Sequence, residues 1–470
     1  MEKTNELAKN TLIILIGTIC TKMITFLLLP LYTGILNTEE YGTYDLIVTL
    51  ASLLFPVVSF QIEQATFREL IDCRNDDEKK KFIISSSLYC VIIQSIICSA
   101  VFLLISAFVK FNYKYYLLLS IITSIISSLF LQIARGVGDN KLFAKGSFIN
   151  AFVTVMFNVI FLLIFNLRVS GLLIGQIIGQ IICAIYLFIS LHLSKYIKID
   201  KISNKDIKKM LKYSIPLVPN ALSWWIFSSS DRVIVSFFLG LSANGILAAS
   251  TKISSMYTIL YNVFDRSWME SISLHINDSD IEEYFNKMFN EILKFFISIS
   301  IILISAMPFI FHLLINEKFE EGYYLIPILL ISALFNVVQG LIAAVYAAKK
   351  NTKSIAKTSI AAAIANIIIH LGLIKFIGLY AAVLSTLASY MIICVYRYID
   401  VKKHYLNIKL NKKTINVSLL ILIVINCIYY YNNFILNIIS LIVCTLIFIL
   451  YNKNSLFFVK KVLSNRKRKI

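Results

Sequence analysis

Apolar runs of roughly 20 residues recur along the whole chain, separated by short polar breaks. A run of that length is enough for a helix to cross the hydrocarbon core of a bilayer. With no water inside the bilayer to take up backbone hydrogen bonds, only helices and closed barrels can span it. The ten-residue alternating segments of a barrel do not occur. The pattern therefore predicts an all-α polytopic membrane protein with fourteen transmembrane helices. They lie near residues 11–36, 41–66, 82–109, 115–134, 146–167, 171–192, 214–238, 244–266, 292–315, 323–347, 357–376, 378–396, 414–431 and 434–452. The first run is too long for a signal-peptide core and lacks a small-residue cleavage site, so it reads as a retained span.

Composition agrees and narrows the class. Of the 470 residues 58% are hydrophobic and 15% charged, against about 25% charged in a soluble domain. A soluble globule, a disordered chain and a disulfide scaffold are excluded. The eight Cys lie mostly in apolar runs and form no CxxC, so they read as small buried hydrophobes. The five His show no ligand-spaced pair, and neither a metal nor a cofactor is expected.

The net charge of +19 is a topology signal rather than a nucleic-acid footprint. Lys and Arg collect in cytoplasmic loops. Counting the span-end residues Arg266, Lys357 and Lys375 with their loops, the loops on the N-terminal side hold 36 of them and the opposite loops 5, with Lys22, Arg232, Lys252 and Lys294 deeper inside spans, which accounts for all 45. Both termini are thus expected in the cytoplasm, with an even number of spans. The outer loops are too short for a catalytic domain, and the two longest loops, 193–213 and 267–291, are expected inside. The basic run Asn465-Arg466-Lys467-Arg468-Lys469 reads as a stop-transfer flank.

The chain repeats itself at a spacing of about 205 residues. Tyr41-Gly42 and Asn244-Gly245 open the second and eighth spans at an offset of 203, and Asn158 and Asn366 lie in the fifth and eleventh at 208. Gly171 and Gly378 open the spans that follow. Six helices per repeat predict two bundles, 1–200 and 201–405, related by a pseudo-twofold along the membrane normal. Two extra helices and a basic tail occupy 406–470.

Intramembrane polar groups are costly, so their pattern carries functional information. The second span places Asp45, Thr49, Ser52, Pro56, Ser59 and Glu63 at spacings of 4, 3, 4, 3 and 4, one helical face. Its repeat mate places Lys252, Ser255, Asn262 and Arg266 on the corresponding face. The first span adds Thr18, Lys22 and Thr25; the seventh adds Asn220, Trp224, Ser228 and Asp231 or Arg232. Lys22 is some 15–20 Å from either end of its helix and cannot snorkel. A wet cavity lined by the first, second, seventh and eighth spans accounts for the stripes. Interhelical hydrogen bonds and ion pairs in a sealed bundle, such as Asp231 with Lys252, are the alternative.

With these residues in view, the sequence resembles the Wzx-type polysaccharide flippases of the multidrug/oligosaccharidyl-lipid/polysaccharide exporter superfamily. The resemblance rests on Leu7-Ala-Lys-Asn-Thr-Leu-Ile-Ile-Leu-Ile-Gly17, Leu29-Pro-Leu-Tyr-Thr33, Thr38-Glu-Glu-Tyr-Gly-Thr-Tyr-Asp45 and, most specifically, the segment from Pro216 to Val235 running into Asn244-Gly245. It covers about the first 400 residues. It implies a multi-pass protein of the bacterial plasma membrane that turns an undecaprenyl-diphosphate-linked oligosaccharide from the inner to the outer leaflet. It also implies neighbouring polymerase and assembly proteins. The family's cationic cavity role falls here on Lys22, Arg232, Lys252 and Arg266, with Arg68 just past the second span. Asn220, Trp224, Asp231 and Asn262 complete the substrate-binding set. Asp45, Glu63 and Asp231 make the cavity less uniformly basic than an anion carrier needs, which fits an acidic group binding a coupling proton or sodium ion.

Two other classes remain. A cation-coupled drug exporter of the same superfamily would have an acidic cavity with few cations, and the four intramembrane basic residues argue against it. A membrane-bound glycan polymerase or transferase could use the DxD Asp278-Ser279-Asp280, a motif too short to carry weight.

Overall fold

The computed structural model describes residue 23 and residues 26–108 and 111–467; for residues 352 and 454–467 it describes the backbone alone. Its helices are α1 (Leu29–Ile35), α2 (Thr38–Ser59), α3 (Ile62–Asp72), α4 (Asp77–Ser106), α5 (Lys114–Gly136), α6 (Asn140–Leu163), α7 (Arg168–Ser190), α8 (Asn204–Ser214), α9 (Leu217–Phe238), α10 (Leu241–His275), α11 (Ile281–Leu314), α12 (Ile326–Ala348), α13 (Thr352–Ile377), α14 (Tyr380–His404), α15 (Lys412–Tyr431) and α16 (Phe434–Lys467). The described residues contain no strand. The long helices match the second to fourteenth predicted spans; most of the first lies outside the described residues.

Eleven of these helices are long and apolar enough to cross a membrane. Helices α9 and α10 fall short because they carry the polar stripes. Large apolar side chains face outward along the spans, among them Ile96, Leu104, Ile185, Ile423 and Ile442. In water such a surface would be an aggregation site; in lipid it is the solvent-facing side. The protein is an integral membrane protein.

Local chemistry sets the helix starts. Asn37 caps α2 with a full capping box, its side chain accepting from the Glu40 amide while the Glu40 carboxylate accepts from the Asn37 amide. Asp76, Asp139 and Asn411 cap α4, α6 and α15 in the same sense.

The structure moves several expected boundaries. The second span, read as 41–66, is broken: Phe60 and Gln61 both take left-handed backbone angles, φ 46° and 55°. Each costs about 1–2 kcal/mol for a residue with a side chain. Pro56, the visible breaker, is instead carried inside α2. The expected loop 267–291 is mostly helix, since α10 runs on to His275 and α11 starts at Ile281. The expected loop 193–213 contains α8, whose Met210 and Ser214 are buried.

The chain divides into two compact units, Met1–Ala248 and Ala249–Ile470. In the first, α6 packs along α7, α5 on α7, α3 on α5, and α9 along α2. Its core includes Ile47, Ile84, Ile125, Leu129, Leu173 and Leu187. In the second, α14 packs on α12 and α13, and α11 on α16, α12 and α15.

Candidate functional site

Helices α2 and α9 run antiparallel, and their contacts fall on rungs seven residues apart. Arg232 Nη1 donates to Asp45 Oδ1 at 2.7 Å. Two turns further along both helices, Trp225 Nε1 donates to Ser52 Oγ at 2.9 Å and to the Thr49 carbonyl at 3.2 Å. A seven-residue step is nearly two full turns, so both rungs lie on one seam. Of the stripe expected on the second span, Asp45, Thr49 and Ser52 make interhelical contacts with α9, while Glu63 lies on α3, beyond the break at Phe60–Gln61. Asp45 lies seven residues from the start of α2, and Arg232 six from the end of α9. Both sit about 10 Å inside their helices at 1.5 Å per residue.

Asn244 completes this corner. Its Nδ2 donates to the Gly42 carbonyl at 2.9 Å and faces Asp45 Oδ2 at 3.5 Å. The Asp45 side chain is 7% exposed and the Arg232 side chain 23%. The carboxylate is thus sealed, while the arginine side chain is only partly so. A bidentate-capable cation held inside spanning helices, partly open to solvent, can engage a phosphate or carboxylate.

The rest of the first-unit residues are placed as follows. Asn220 and Trp224 are exposed on α9, and Asp231 is half-buried beside Arg232. Arg68 is exposed on α3 and pairs with Asp72 at 2.6 Å. Glu63, also on α3, is 1% exposed, and neither carboxylate oxygen has a hydrogen-bond partner among the described residues. Lys22 lies outside the described residues, as do Thr18 and Thr25.

In the second unit, α10 is two-faced. Ile253, Tyr257, Tyr261, Trp268 and Ile272 are buried, with Tyr257 Oη donating to the Phe296 carbonyl at 3.0 Å and Trp268 Nε1 to Leu341 O at 3.0 Å. Ser255, Asn262 and Arg266 are exposed on the other face, and Lys252 is half-buried. The expected stripe is the face this unit leaves outward. Asp278 Oδ2 accepts from His275 Nδ1 at 2.6 Å in the turn after α10, a local contact that occupies one arm of the DxD. Among the described residues no cluster of His, Cys, Asp or Glu could hold a metal.

Two polar groups escaped the sequence reading. Arg397, counted there as a loop cation after a span ending at 396, is 2% exposed within α14. It donates to Thr358 Oγ1 at 3.0 and 2.8 Å, Gln339 Oε1 at 2.5 Å and Ser359 Oγ at 3.2 Å. The spacing Ser385, Ser389, Ile393, Arg397, Val401 marks one buried face and was the available signal. His370 is fully buried on α13, one turn past Asn366, whose Nδ2 donates to Thr386 Oγ1 at 3.3 Å. At the offset of 208 its counterpart in the first repeat is Leu162, 2% exposed.

Known proteins are similar at two levels. Among solved structures, the fold is similar to a Lipid II flippase MurJ in an inward closed conformation, with TM-score 0.67 and 18% identity over 95% of this chain and 99% of that one. It is similar to an inward-facing multidrug resistance MATE family transporter of the MOP superfamily, with TM-score 0.65 and 11% identity over 81% and 95%. The Vibrio cholerae MATE transporter VcmN matches at TM-score 0.55 and 12% identity over 86% and 98%. These likenesses establish the all-helical transporter fold. No curated protein matches the sequence. The family described as polysaccharide biosynthesis protein matches residues 7–268, more than half the chain and every residue of the Asp45–Arg232–Asn244 corner. This chain belongs to the polysaccharide biosynthesis protein family.

Proposed function

We propose that the protein is a flippase that moves an undecaprenyl-diphosphate-linked oligosaccharide from the inner to the outer leaflet of a bacterial plasma membrane, for surface polysaccharide synthesis. The observation that carries this reading is Arg232, a partly exposed guanidinium held at span depth by Asp45 in a chain of the polysaccharide biosynthesis family. A diphosphate entering a low-dielectric region needs a cation there, and one at depth is worth far more than one in water. Lys22, Lys252 and Arg266 extend that role along the path, with Arg68 at its margin. Asn220, Asn262 and Trp224 offer the glycan amides and an aromatic face. The fold's likeness to a Lipid II flippase supports a lipid-linked cargo.

Transport proceeds by alternating access of the repeats 1–200 and 201–405, without covalent chemistry. Both termini lie in the cytoplasm. Asp45, Glu63 and Asp231 are the groups through which a proton or sodium gradient would drive the cycle, and a polymerase would consume the product. The likeness to MATE transporters favours drug export as the second reading.

The test is depletion of the protein followed by mass spectrometry of lipid-linked intermediates. Accumulation of an undecaprenyl-diphosphate glycan, reversed by the wild-type chain and not by Arg232→Gln, is expected. Unchanged intermediates together with restored efflux of cationic drugs would overturn the flippase reading in favour of the second.

A further inference from the structure

The break between α2 and α3 sits next to the most poorly compensated carboxyl group of the first unit. Glu63 is in the first turn of α3, beyond the span Thr38–Ser59. Its neighbours Ile62 and Ala65 are fully buried, as are Ser59 and Thr66. The two residues before α3, Phe60 and Gln61, hold left-handed angles that residues with side chains seldom adopt. Ser59 Oγ holds the break by accepting from the Gln61 amide at 3.0 Å. On the far side, α3 is clamped to the end of α5: a Cβ on Gly136 would stand 2.8 Å from Leu70 Cβ. The span and α3 are thus two rigid pieces joined by two strained residues.

The charged groups around α3 are engaged elsewhere or exposed. Arg135 of α5 lies over the Phe67 ring, 4.5 Å from its centroid. Arg74 donates to the Gly136 carbonyl at 2.9 Å. From α8, Lys209 pairs with Glu69, Lys205, Lys208, Lys212 and Tyr213 are exposed, and Asp206 takes its place in the first turn beside the Ser203 cap. In α4, Lys80 and Lys81 pair with Asp77 and Glu78, and Lys79 with Asp76. On α3 itself Arg68 pairs with Asp72. None of them offsets the burial of Glu63. Desolvation, opposed only by its own backbone amide and Ser59, pushes the carboxyl from an ordinary value near 4.5 up to about 7.

Asp45 differs from Glu63 in having side-chain donors, Arg232 Nη1 at 2.7 Å and Asn244 Nδ2 at 3.5 Å. We propose that Glu63 is a proton-binding site that sets the angle between α2 and α3, its buried, protonated form holding the helix broken at Phe60–Gln61. The inference deepens the transport reading by naming the ion and the hinge. When Glu63 gives its proton to water, the bare carboxylate has only its own backbone amide and Ser59 against the cost of burial and is driven toward water. The break provides the freedom to do so. Buried Glu63 keeps its proton up to about pH 7 and exposed Glu63 only to about pH 4.5. The preference for the buried arrangement therefore falls across that window, by on the order of 100-fold, and is level above it.

Spin labels at Val57→Cys on the exposed flank of α2 and Asn75→Cys beyond α3 read the angle, in a full-length chain lacking native Cys and held in lipid nanodiscs. The interlabel distance is expected to shift between about pH 5 and about pH 8. Glu63→Gln is expected to keep the low-pH distance throughout. An infrared band of a protonated carboxyl, lost over the same range and missing from Glu63→Gln, is expected in parallel and needs no labelled variant. A distance and a band that ignore pH, or a distance that follows sodium at fixed pH, would overturn the proposal. The transport reading is judged separately by the lipid-linked intermediates: a pH-responsive Glu63 in a protein whose depletion leaves them unchanged supports the proton site and sinks the flippase.

Discussion

Gly42 and Gly245 face each other so closely that neither can carry a side chain. A Cβ on Gly42 would lie 1.8 Å from the Leu241 carbonyl oxygen, and one on Gly245 would lie 1.9 Å from that of Thr38. The contact is reciprocal: 38 pairs with 245 and 42 with 241, and the offset of 203 relates 38 to 241 and 42 to 245, exchanging the two pairs. At the starts of α2 and α10 each helix packs its glycine on the other's first turn.

Because the obstructing atom is backbone, it cannot swing aside. Gly42→Ala is expected to destabilise the folded protein at or above the upper end of the roughly 1–3 kcal/mol typical of overpacking, seen as a lower melting temperature in detergent. Gly372→Ala, with nothing within 4 Å of its Cβ, is the matched control and should leave that temperature unchanged. Equal effects at both positions would contradict the close approach.

The Asp45–Arg232 pair separates a structural role from a functional one. Arg232→Ala leaves a buried carboxylate without its charged partner, at a cost of about 3–5 kcal/mol. Asp45→Asn with Arg232→Gln removes both charges and keeps the hydrogen-bonding shapes. That double variant should regain most of the lost thermal stability and still fail to export glycan, because the cation is gone. Full export by a stable double variant would show that Arg232 serves the fold alone.

How much of this could be read beforehand depends on the range of the signal. Spans and the two-faced character of α10 are periodic and local, so Tyr257, Tyr261 and Trp268 inward against Ser255, Asn262 and Arg266 outward follow from spacing alone. The partner of Arg232 was not legible. The sequence offers Asp231 as its neighbour, and only the antiparallel register of α2 and α9 selects Asp45. The break at Phe60–Gln61 was invisible for a related reason: neither residue is a helix breaker, and the left-handed turn is imposed by packing of α3 on α5. Arg397 was hidden by its position next to a polar segment, which made a buried cation look like a loop residue.

Arg397 is satisfied by neutral oxygens from Gln339, Thr358 and Ser359, so it ties α12, α13 and α14 together without an acid in its hydrogen-bond set. Carried on α14, its planar fork reaches two further helices at once with a pre-organised geometry that an ammonium lacks. Arg397→Lys is expected to cost about 1.5–3 kcal/mol for each charge-assisted bond lost, and Arg397→Ala more. Thermal unfolding monitored by Trp fluorescence checks this; an unshifted Arg397→Lys would remove its role as a clamp.

Orientation follows from loop charge and is tested directly. Reporter fusions after Ile35, Arg168 or Leu241 should read as outside, and fusions after Lys80, Lys208 or Lys412 as inside. A reversed pattern would invert the proposed direction of transport.

The outward face of α10 carries Ser255, Asn262 and Arg266, and its accessibility can be measured residue by residue. In a chain lacking native Cys, Ser255→Cys and Asn262→Cys should react readily with a small polar thiol reagent. Ile253→Cys and Ile272→Cys, on the buried face, should react at least about tenfold more slowly, because thiolates form poorly in apolar surroundings. If the outward face meets the lipid-linked diphosphate, Arg266→Glu should abolish export while leaving the labelling contrast intact, since the side chain is exposed and holds nothing in place. Equal labelling of the two faces would mean that α10 presents no wet surface, and the cargo path would have to be sought on α2 and α9 alone.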